Sequence, residues 1–145
     1  MPTAHDILSE KGTKVHSISI DSTALQAIQK MNQHRIGALV VMDGDCVAGI
    51  FTERDVLQRV IGEQMNPSDT SVGEVMTRNV VCCGPEATLE EMSEIMRSRR
   101  IRHIPICDEE TKLIGLISIG DLNAQHATQQ SMTIHYLNEY IYGRV

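Results

Sequence analysis

The sequence lacks several patterns that would assign the protein to a common functional class. No run of about 18 apolar residues occurs, so no segment is expected to span a membrane. The N-terminal stretch has an acidic residue early and no apolar core of signal-peptide length, and a cytoplasmic location is therefore expected. An excess of positive charge is missing too, since the formal net charge is −6, and this argues against nucleic acid as a partner.

Patterns typical of metal sites and of catalysis are absent as well. The four cysteines include no Cys-x-x-Cys pair and the six histidines no His-x-x-x-His pair, so we expect no metal and predict reduced cysteines packed as small hydrophobic residues. We find no convincing nucleophile–base pair and no glycine-rich phosphate loop, and do not expect an enzyme. The 145 residues, 41% hydrophobic and 22% charged, are typical of a soluble globular protein.

What the sequence does contain is an internal repeat. The stretch GIFTERD, from Gly49 to Asp55, recurs as GLISIGD, from Gly115 to Asp121. Upstream of these, STALQAIQKMNQHRI aligns with ATLEEMSEIMRSRRI, and ALVVMD aligns with HIPICD. A polar stretch that contains a proline, residues 62–70, has the composition of a linker. We therefore divide the chain into a first repeat (1–64), a second repeat (65–127) and a C-terminal extension (128–145).

Each repeat changes its hydrophobic period in the same order. A short β-prone segment precedes an amphipathic helix, in which apolar residues recur at i, i+3, i+4 and i+7. Two apolar runs around the Asp43–Gly44 turn then predict a β-hairpin, and a second helix begins near Thr52. The predicted unit is β-α-β-β-α. A unit of about 60 residues buries little apolar surface alone, so we expect the two copies to pack as a pseudo-two-fold pair with two related clefts.

The closing phrases of the two repeats allow two interpretations. A hydroxyl residue followed three positions later by aspartate, Thr52 with Asp55 and Ser118 with Asp121, suits a helix capping box. The same helix N-terminus can attract a phosphate group, and the aspartate can accept the two hydroxyls of a ribose. The interpretations are compatible, because a ligand can take over the role of a cap.

Two such units in register resemble a tandem pair of cystathionine β-synthase (CBS) domains, a Bateman module. The stretch RIRHIPICDEETKLIGLISIGDL is close to the family pattern, and the resemblance extends from Thr3 to Ala127. It implies an α/β (α+β) fold of two β-α-β-β-α repeats, followed here by a helical extension. It also implies a non-catalytic regulator of a partner protein, which binds adenosine nucleotides (AMP, ADP or ATP) and in some members NAD or S-adenosylmethionine.

The resemblance further implies which residues face each other across the two clefts. The first, called the Asp55 cleft below, is expected to contain Thr52, Arg54, Asp55, Val80, Val81, Cys82, Arg102 and His103. The second, the Asp121 cleft, is expected to contain Ser118, Asp121, Lys14, Val15, His16, Gly37 and Ala38. Basic side chains suit a phosphate, so we predict that the Asp55 cleft binds a phosphorylated ligand more strongly. The alternatives are a solvated helix end for Arg99, Arg100 and Arg102 and a packed core residue for His103.

The end of the chain predicts a further helix that continues to Gly143, a candidate C-cap. Apolar residues recur along one side of this helix: Ile134, Tyr136, Leu137, Tyr140 and Ile141. Such a face either folds back on its own domain or mediates self-association. Because CBS pairs resemble one another in forming homodimers, we favour a homodimer. A structural dimer with degenerate clefts is the alternative to a ligand sensor.

Overall fold

The first repeat forms a three-stranded sheet with its helices. The computed structural model describes the backbone of residues 1–142 and the side chains of residues 1–130. The elements of the first repeat are α1 (Ala4–Lys11), β1 (Ser17–Ser19), α2 (Ala24–His34), β2 (Ala38–Asp43), β3 (Cys46–Thr52), α3 (Glu53–Asp55) and a π-helix (Val56–Ile61). The central strand β2 pairs with β1 in parallel and with β3 antiparallel, and Ala38 lies opposite Thr52.

The second repeat forms a two-stranded sheet. Its elements are α4 (Val72–Val75), α5 (Leu89–Arg99), β4 (His103–Cys107), β5 (Leu113–Ser118) and α6 (Ile119–Tyr142). β4 and β5 are antiparallel, and His103 lies opposite Ser118 as Ala38 lies opposite Thr52. The predicted class, a mixed α+β fold built from two hairpin-containing repeats, is confirmed.

The second repeat differs from the predicted unit in its first strand. Residues 80–82 form no ladder with β4, and the pairing there is an isolated bridge from Cys83. In the first repeat the N–H of Val40 donates to the carbonyl of His16, at 3.2 Å. Pro105 stands at the position equivalent to Val40 and has no N–H. The pairing therefore begins only where the N–H of Cys83 donates to the carbonyl of Pro105, at 3.0 Å.

The first helix of each repeat packs in the apolar core of the other repeat. α1 buries Ala4, Ile7 and Leu8 in the core formed with α5, β4 and β5 of the second repeat. α4 in turn buries Val72 and Val75 in the core of the first repeat. The boundaries 1–64 and 65–127 stay a prediction about the sequence repeat, whereas the packing joins each first helix to the other copy.

Local sequence explains where the long helices begin and end. The Thr23 hydroxyl caps α2 and the Thr88 hydroxyl caps α5, by accepting the backbone N–H three residues later at 3.1 and 3.2 Å respectively. Each helix is followed by an arginine in the left-handed conformation, Arg35 and Arg100, both with φ of 54°. The equivalent ends show that the two copies share their backbone conformation where these helices end.

α6 runs without a break from Ile119 to Tyr142, so the predicted C-terminal extension continues the last helix of the second repeat. The predicted cap at Gly143 lies outside the described residues. The side chains of the predicted apolar face, from Ile134 to Ile141, lie outside them as well. Among the helices that the structure describes, none is long and apolar enough to cross a membrane.

Candidate functional site

Most residues predicted for the Asp55 cleft line one cavity of about 220 Å³. The predicted residues that line it are Thr52, Arg54, Asp55, Val80, Val81, Arg102 and His103. Cys82 does not line this cavity. Its exposed thiol lies near Cys107, at the end of β4 opposite to His103. Contrary to the prediction, the side chain of Cys82 is therefore not part of this cavity.

Several residues that were not predicted for this cleft complete the same cavity. They are Gly37, Ile50, Glu53, Thr77, Asn79, Arg100 and Ile101. Thr77 is held there by its backbone, whose N–H donates to the carbonyl of Ile50 at 2.8 Å and whose carbonyl accepts the N–H of Ile50 at 3.0 Å. Arg100 lies two residues before the predicted Arg102, and this proximity was a usable signal for Arg100. No local pattern marked Thr77.

Asp55 is held by the capping box that the sequence predicted. Its Oδ2 accepts the backbone N–H of Thr52 at 3.0 Å and the Thr52 hydroxyl at 3.2 Å. The Thr52 hydroxyl oxygen accepts the N–H of Asp55 at 3.3 Å. Because the carboxylate is tied at two points to the start of α3, its orientation toward the cleft is fixed before any ligand binds.

The carboxylate of Asp55 is also buried, and residues from outside the motif satisfy it. Asp55 is only 4% exposed. The hydroxyl of Thr77 donates to its two oxygens, at 2.9 and 3.2 Å, and Nε of Arg59 lies 3.5 Å from Oδ1. A buried charge without such partners would be costly. Hydroxyls of a ligand that bind Asp55 must therefore share these oxygens with Thr77 or displace its hydroxyl.

Three exposed arginines line the Asp55 cleft: Arg54, Arg100 and Arg102. The carboxylate of Glu53 lies among them and partly offsets their charge, while Asp55 is buried below. Arginine presents several N–H donors in a planar fork and suits the oxygens of a phosphate. The cleft therefore combines a buried acceptor at one place with exposed cationic donors at another.

A second cavity, of about 300 Å³, collects most residues predicted for the Asp121 cleft. The predicted residues that line it are Lys14, Val15, His16, Gly37, Ala38 and Ser118. Asp121 is not one of them, because its Oδ2 lies 2.7 Å from Nζ of Lys11. Lys11 itself lines the cavity and was not predicted, since it is 110 positions from Asp121 in the sequence.

Asp121 makes the same cap as Asp55 but has a closer charged partner, Lys11 at 2.7 Å against Arg59 at 3.5 Å from Asp55. Its Oδ2 accepts the N–H of Ser118 at 2.8 Å, and the Ser118 hydroxyl oxygen accepts the N–H of Asp121 at 3.2 Å. Burial raises the pKa of Asp121, but the hydrogen bonds from Lys11 and Ser118 outweigh it, and the pKa lies below its usual value. Asp121 is therefore an ion-paired carboxylate at neutral pH.

The two cavities share two residues, Gly37 and His103. A Cβ atom at Gly37 would lie 3.3 Å from Cδ of Glu53, so the absence of a side chain leaves room beside that carboxylate. Burial lowers the pKa of His103, and the neighbouring cations Arg102 and Lys11 lower it further, against smaller opposing effects of two carboxylates. His103 is therefore neutral near pH 7 and gains charge readily only when an anion lies beside it.

The prediction for the cysteines is right for Cys107, which is buried, and partly right for Cys83, which packs against the core of the second repeat. The prediction is wrong for Cys46 and Cys82, whose side chains are exposed. Cys46 directly follows the hairpin turn, and Cys82 directly precedes Cys83, the residue that pairs with β4. Among the described residues, no group of three or more His, Cys, Asp or Glu side chains could hold a metal ion.

Comparison with known proteins identifies the family of this two-cleft fold. The model of the CBS domain matches residues 4–62 and, a second time, residues 72–124. The chain belongs to the CBS domain family. The two matches confirm the resemblance inferred from the repeated phrases. Pairs of CBS domains are regulatory, ligand-binding modules.

Several CBS proteins resemble the chain over most of its length. It is 33% identical to CBSX3, a mitochondrial CBS domain-containing protein of Arabidopsis thaliana, over 97% of this chain and 72% of the relative. It is 33% identical to YhcV of Bacillus subtilis, over 82% of this chain and 84% of the relative. A solved structure of a putative signal-transduction protein with CBS domains from Burkholderia ambifaria is 37% identical, with a TM-score of 0.83, and the match covers 89% of this chain and 96% of that one.

One of the solved structures that the chain resembles contains a nucleotide. It is PAE2072 of Pyrobaculum aerophilum in complex with AMP, 18% identical, with a TM-score of 0.74 over 83% of this chain and 89% of that one. At this identity the similarity establishes the shared CBS fold alone. Since one relative is mitochondrial, the cytoplasmic location of this CBS protein stays a prediction.

Proposed function

We propose that this CBS pair is a sensor that binds an adenosine nucleotide in the Asp55 cleft and thereby regulates a partner protein. The observation that carries the proposal is the composition of this cleft. A buried, pre-oriented carboxylate lies in the same cavity as three exposed arginines and an apolar wall. These groups match the diol, the phosphate and the base of a nucleotide.

The carboxylate of Asp55 would accept the ribose hydroxyls. It is acceptor-only, its two oxygens can receive two donors, and the capping box restricts its rotation. Pre-orientation lowers the entropy that binding must otherwise cost. Thr77 supplies a hydroxyl to the same oxygens, so a ribose would enter a position in which a hydroxyl is already accommodated.

The base and the phosphate would bind on either side of the ribose. Ile50, Val80, Val81 and Ile101 provide apolar surface for a planar base. The backbone at Val81 is also available to a ligand, because Pro105 has no N–H to donate to its carbonyl. The arginines would receive the phosphate, which favours AMP, ADP or ATP. NAD carries the same groups and is an alternative, whereas S-adenosylmethionine has no phosphate and would leave the arginines without a partner.

Signalling would follow from a difference in ligand affinity between two arrangements of the CBS pair, since only such a difference can shift a conformational equilibrium. A homodimer is part of the proposal. Leu57 and Ile61, on the π-helix, are 68% and 60% exposed, and exposed apolar side chains that lie together mark interfaces. The predicted apolar face of the C-terminal extension, which lies outside the described side chains, is a second candidate for the dimer surface. The competing proposal is a structural dimer without ligand.

The test is calorimetric titration of the full chain with AMP, ADP, ATP, NAD and S-adenosylmethionine, with a parallel thermal-shift series. At a hundredfold excess over Kd, a ligand should stabilise the folded protein by about 2.7 kcal/mol. Asp55→Asn retains one cap acceptor and removes the charge. Since hydrogen bonds to charged groups contribute about 1.5–3 kcal/mol, we expect it to weaken AMP binding by about 10- to 100-fold.

Asp121→Asn is the matched control, because it changes the same group in the equivalent cap of the other repeat. We expect it to leave AMP affinity within about twofold, as its carboxylate is engaged by Lys11 rather than turned into a cavity. Equal losses in the two variants would contradict the assignment to the Asp55 cleft. No binding of any of the five compounds to folded protein would favour the structural dimer.

A further inference from the structure

The two clefts are continuous in their lining residues. Gly37 and His103 contribute to the walls of both cavities. Gly37 has no side chain to separate them, and His103 presents its ring where they meet. A ligand that begins in the Asp55 cleft and is longer than a monophosphate could therefore extend past these two residues toward the Asp121 cleft.

The Asp121 cleft is poorly suited to a second nucleoside. Its carboxylate is bound by the ammonium group of Lys11 at 2.7 Å, which also donates to the carbonyl of Leu116 at 2.7 Å. Ribose hydroxyls would have to displace this charged donor and break an ion pair at hydrogen-bond distance. Asp55 differs, because its closest partner from outside the motif is the uncharged hydroxyl of Thr77, at 2.9 Å, and the guanidinium of Arg59 is farther away, at 3.5 Å.

The Asp121 cleft is instead suited to an anion. Lys11, Lys14, His16 and His103 line it, and among the described residues no carboxylate does. Asp121 neutralises Lys11, whereas no carboxylate of the described residues lies within 4.0 Å of the ammonium group of Lys14. The cavity thus retains positive charge beside the place where the phosphate of a nucleotide in the Asp55 cleft would end.

We infer that the Asp121 cleft is the subsite for the terminal phosphates of a nucleoside di- or triphosphate whose adenosine lies in the Asp55 cleft. This inference rests on the proposed nucleotide site. The CBS pair then binds one nucleoside polyphosphate per chain across both clefts rather than two monophosphates, one in each. Lys11 determines this specificity, because its ammonium group occupies the carboxylate of Asp121 and prevents it from accepting ribose hydroxyls. Lys14 provides the positive charge for the outer phosphates.

The negative charge of Glu53 would repel a phosphate chain at the point where the two clefts meet. Its carboxylate lies beside Gly37, lines the Asp55 cleft and is exposed, so it can turn toward solvent when a polyphosphate passes. Removing its charge should therefore favour longer phosphate chains. We expect Glu53→Gln to strengthen ATP binding more than AMP binding, and this variant tests the path of the phosphates independently of the lysines.

The experiment is calorimetry of the full chain with AMP and ATP in EDTA, so that no divalent cation screens the phosphates. We expect one nucleotide per chain for each ligand and tighter binding of ATP. Lys14→Met should weaken ATP binding by about fivefold, since a partly exposed ion pair contributes up to about 1 kcal/mol. AMP binding should change less than about twofold. Lys112→Met, in the turn before β5 and outside both cavities, is the matched control and should change neither.

The outcomes separate this inference from the proposed function. AMP binding that depends on Asp55, together with ATP binding no tighter than AMP, would overturn the inference and leave the nucleotide site in place. Two AMP molecules per chain, one of them lost in Asp121→Asn, would overturn it as well, as would an equal loss of AMP and ATP affinity in Lys14→Met. No binding of either nucleotide would refute the proposed function and the inference with it.

Discussion

The hydroxyl of Thr77 occupies the oxygens of Asp55 that a ribose would need, and Thr77→Val tests what this contact does. Valine has nearly the shape of threonine and lacks the hydroxyl. The variant leaves the capping box of Thr52 and Asp55 intact, because those bonds lie within α3 and its cap. The perturbation is therefore a single donor to a buried carboxylate.

The size of the effect follows from the contacts of Asp55. One hydroxyl shared between two oxygens, at 2.9 and 3.2 Å, counts as one hydrogen bond to a charged acceptor. Such bonds contribute about 1.5–3 kcal/mol, and the lower value applies since the N–H of Thr52 still satisfies Oδ2. For a chain of this size the expected fall in Tm is about 5 °C. Thr128→Val, which removes an exposed hydroxyl bonded to the carbonyl of Ala124 on α6, should lower Tm far less.

The ligand-binding arm of this experiment tests the proposed role of Asp55. If ribose hydroxyls replace the Thr77 hydroxyl, its removal should raise AMP affinity by up to about tenfold, because the competing donor is gone. Differential scanning fluorimetry gives the Tm values, and calorimetry gives the affinities. A tenfold loss of AMP affinity in Thr77→Val would refute this reasoning, since it would show that Thr77 assists the ligand. An unchanged Tm would show that the bond contributes no measurable stability.

Three other perturbations test the structure of the clefts. Pro105→Ala restores an N–H opposite the carbonyl of Val81, so this new amide should be protected from hydrogen exchange. An unprotected amide would contradict the explanation of the missing strand. The pKa of His103 is lower in the folded protein than its unfolded value of about 6.5. The contribution of His103 to stability is therefore fully present above the unfolded pKa and is lost as the pH falls through the folded pKa. Tm should therefore fall between pH 7 and pH 5, less steeply in His103→Gln; equal slopes would contradict this. The ion pair of Lys11 and Asp121, which is partly exposed, should give a coupling of about 0.5–1 kcal/mol in a double-mutant cycle measured by urea unfolding, and independent, additive effects would contradict it.

Much of the fold follows from patterns within short stretches of sequence. Thr23 and Thr88 start helices because a hydroxyl beside a free N–H satisfies it locally. The Asp43–Gly44 turn places two apolar runs next to each other, and the repeat then implies a second hairpin of the same kind. The first strand of the second repeat was predicted and is absent. Pro105 was visible in the sequence, but its effect depends on which carbonyl faces it across the sheet.

The candidate site was predictable to the extent that its residues belong to the repeat. Thr52 and Asp55, or Arg102 and His103, lie in phrases that the alignment of the two copies singles out. Thr77 and Lys11 were missed because each reaches its aspartate from another element. The Asp55 cleft stays a prediction as a binding site, although its residues do line one cavity.

The sequence by itself determined that the chain contains two copies of one CBS unit and that each carries the pattern of a capping box, and the resemblance implied two chemically unequal clefts. Only the tertiary structure decided what each aspartate faces. The apolar side of α1 packs into the core of the second repeat and brings Lys11 to Asp121, whereas the segment after α4 brings Thr77 to Asp55. An apolar stripe specifies that a helix face will be buried but not against which partner, because hydrophobic attraction has no direction. The chemical difference between the two aspartates is therefore a product of packing.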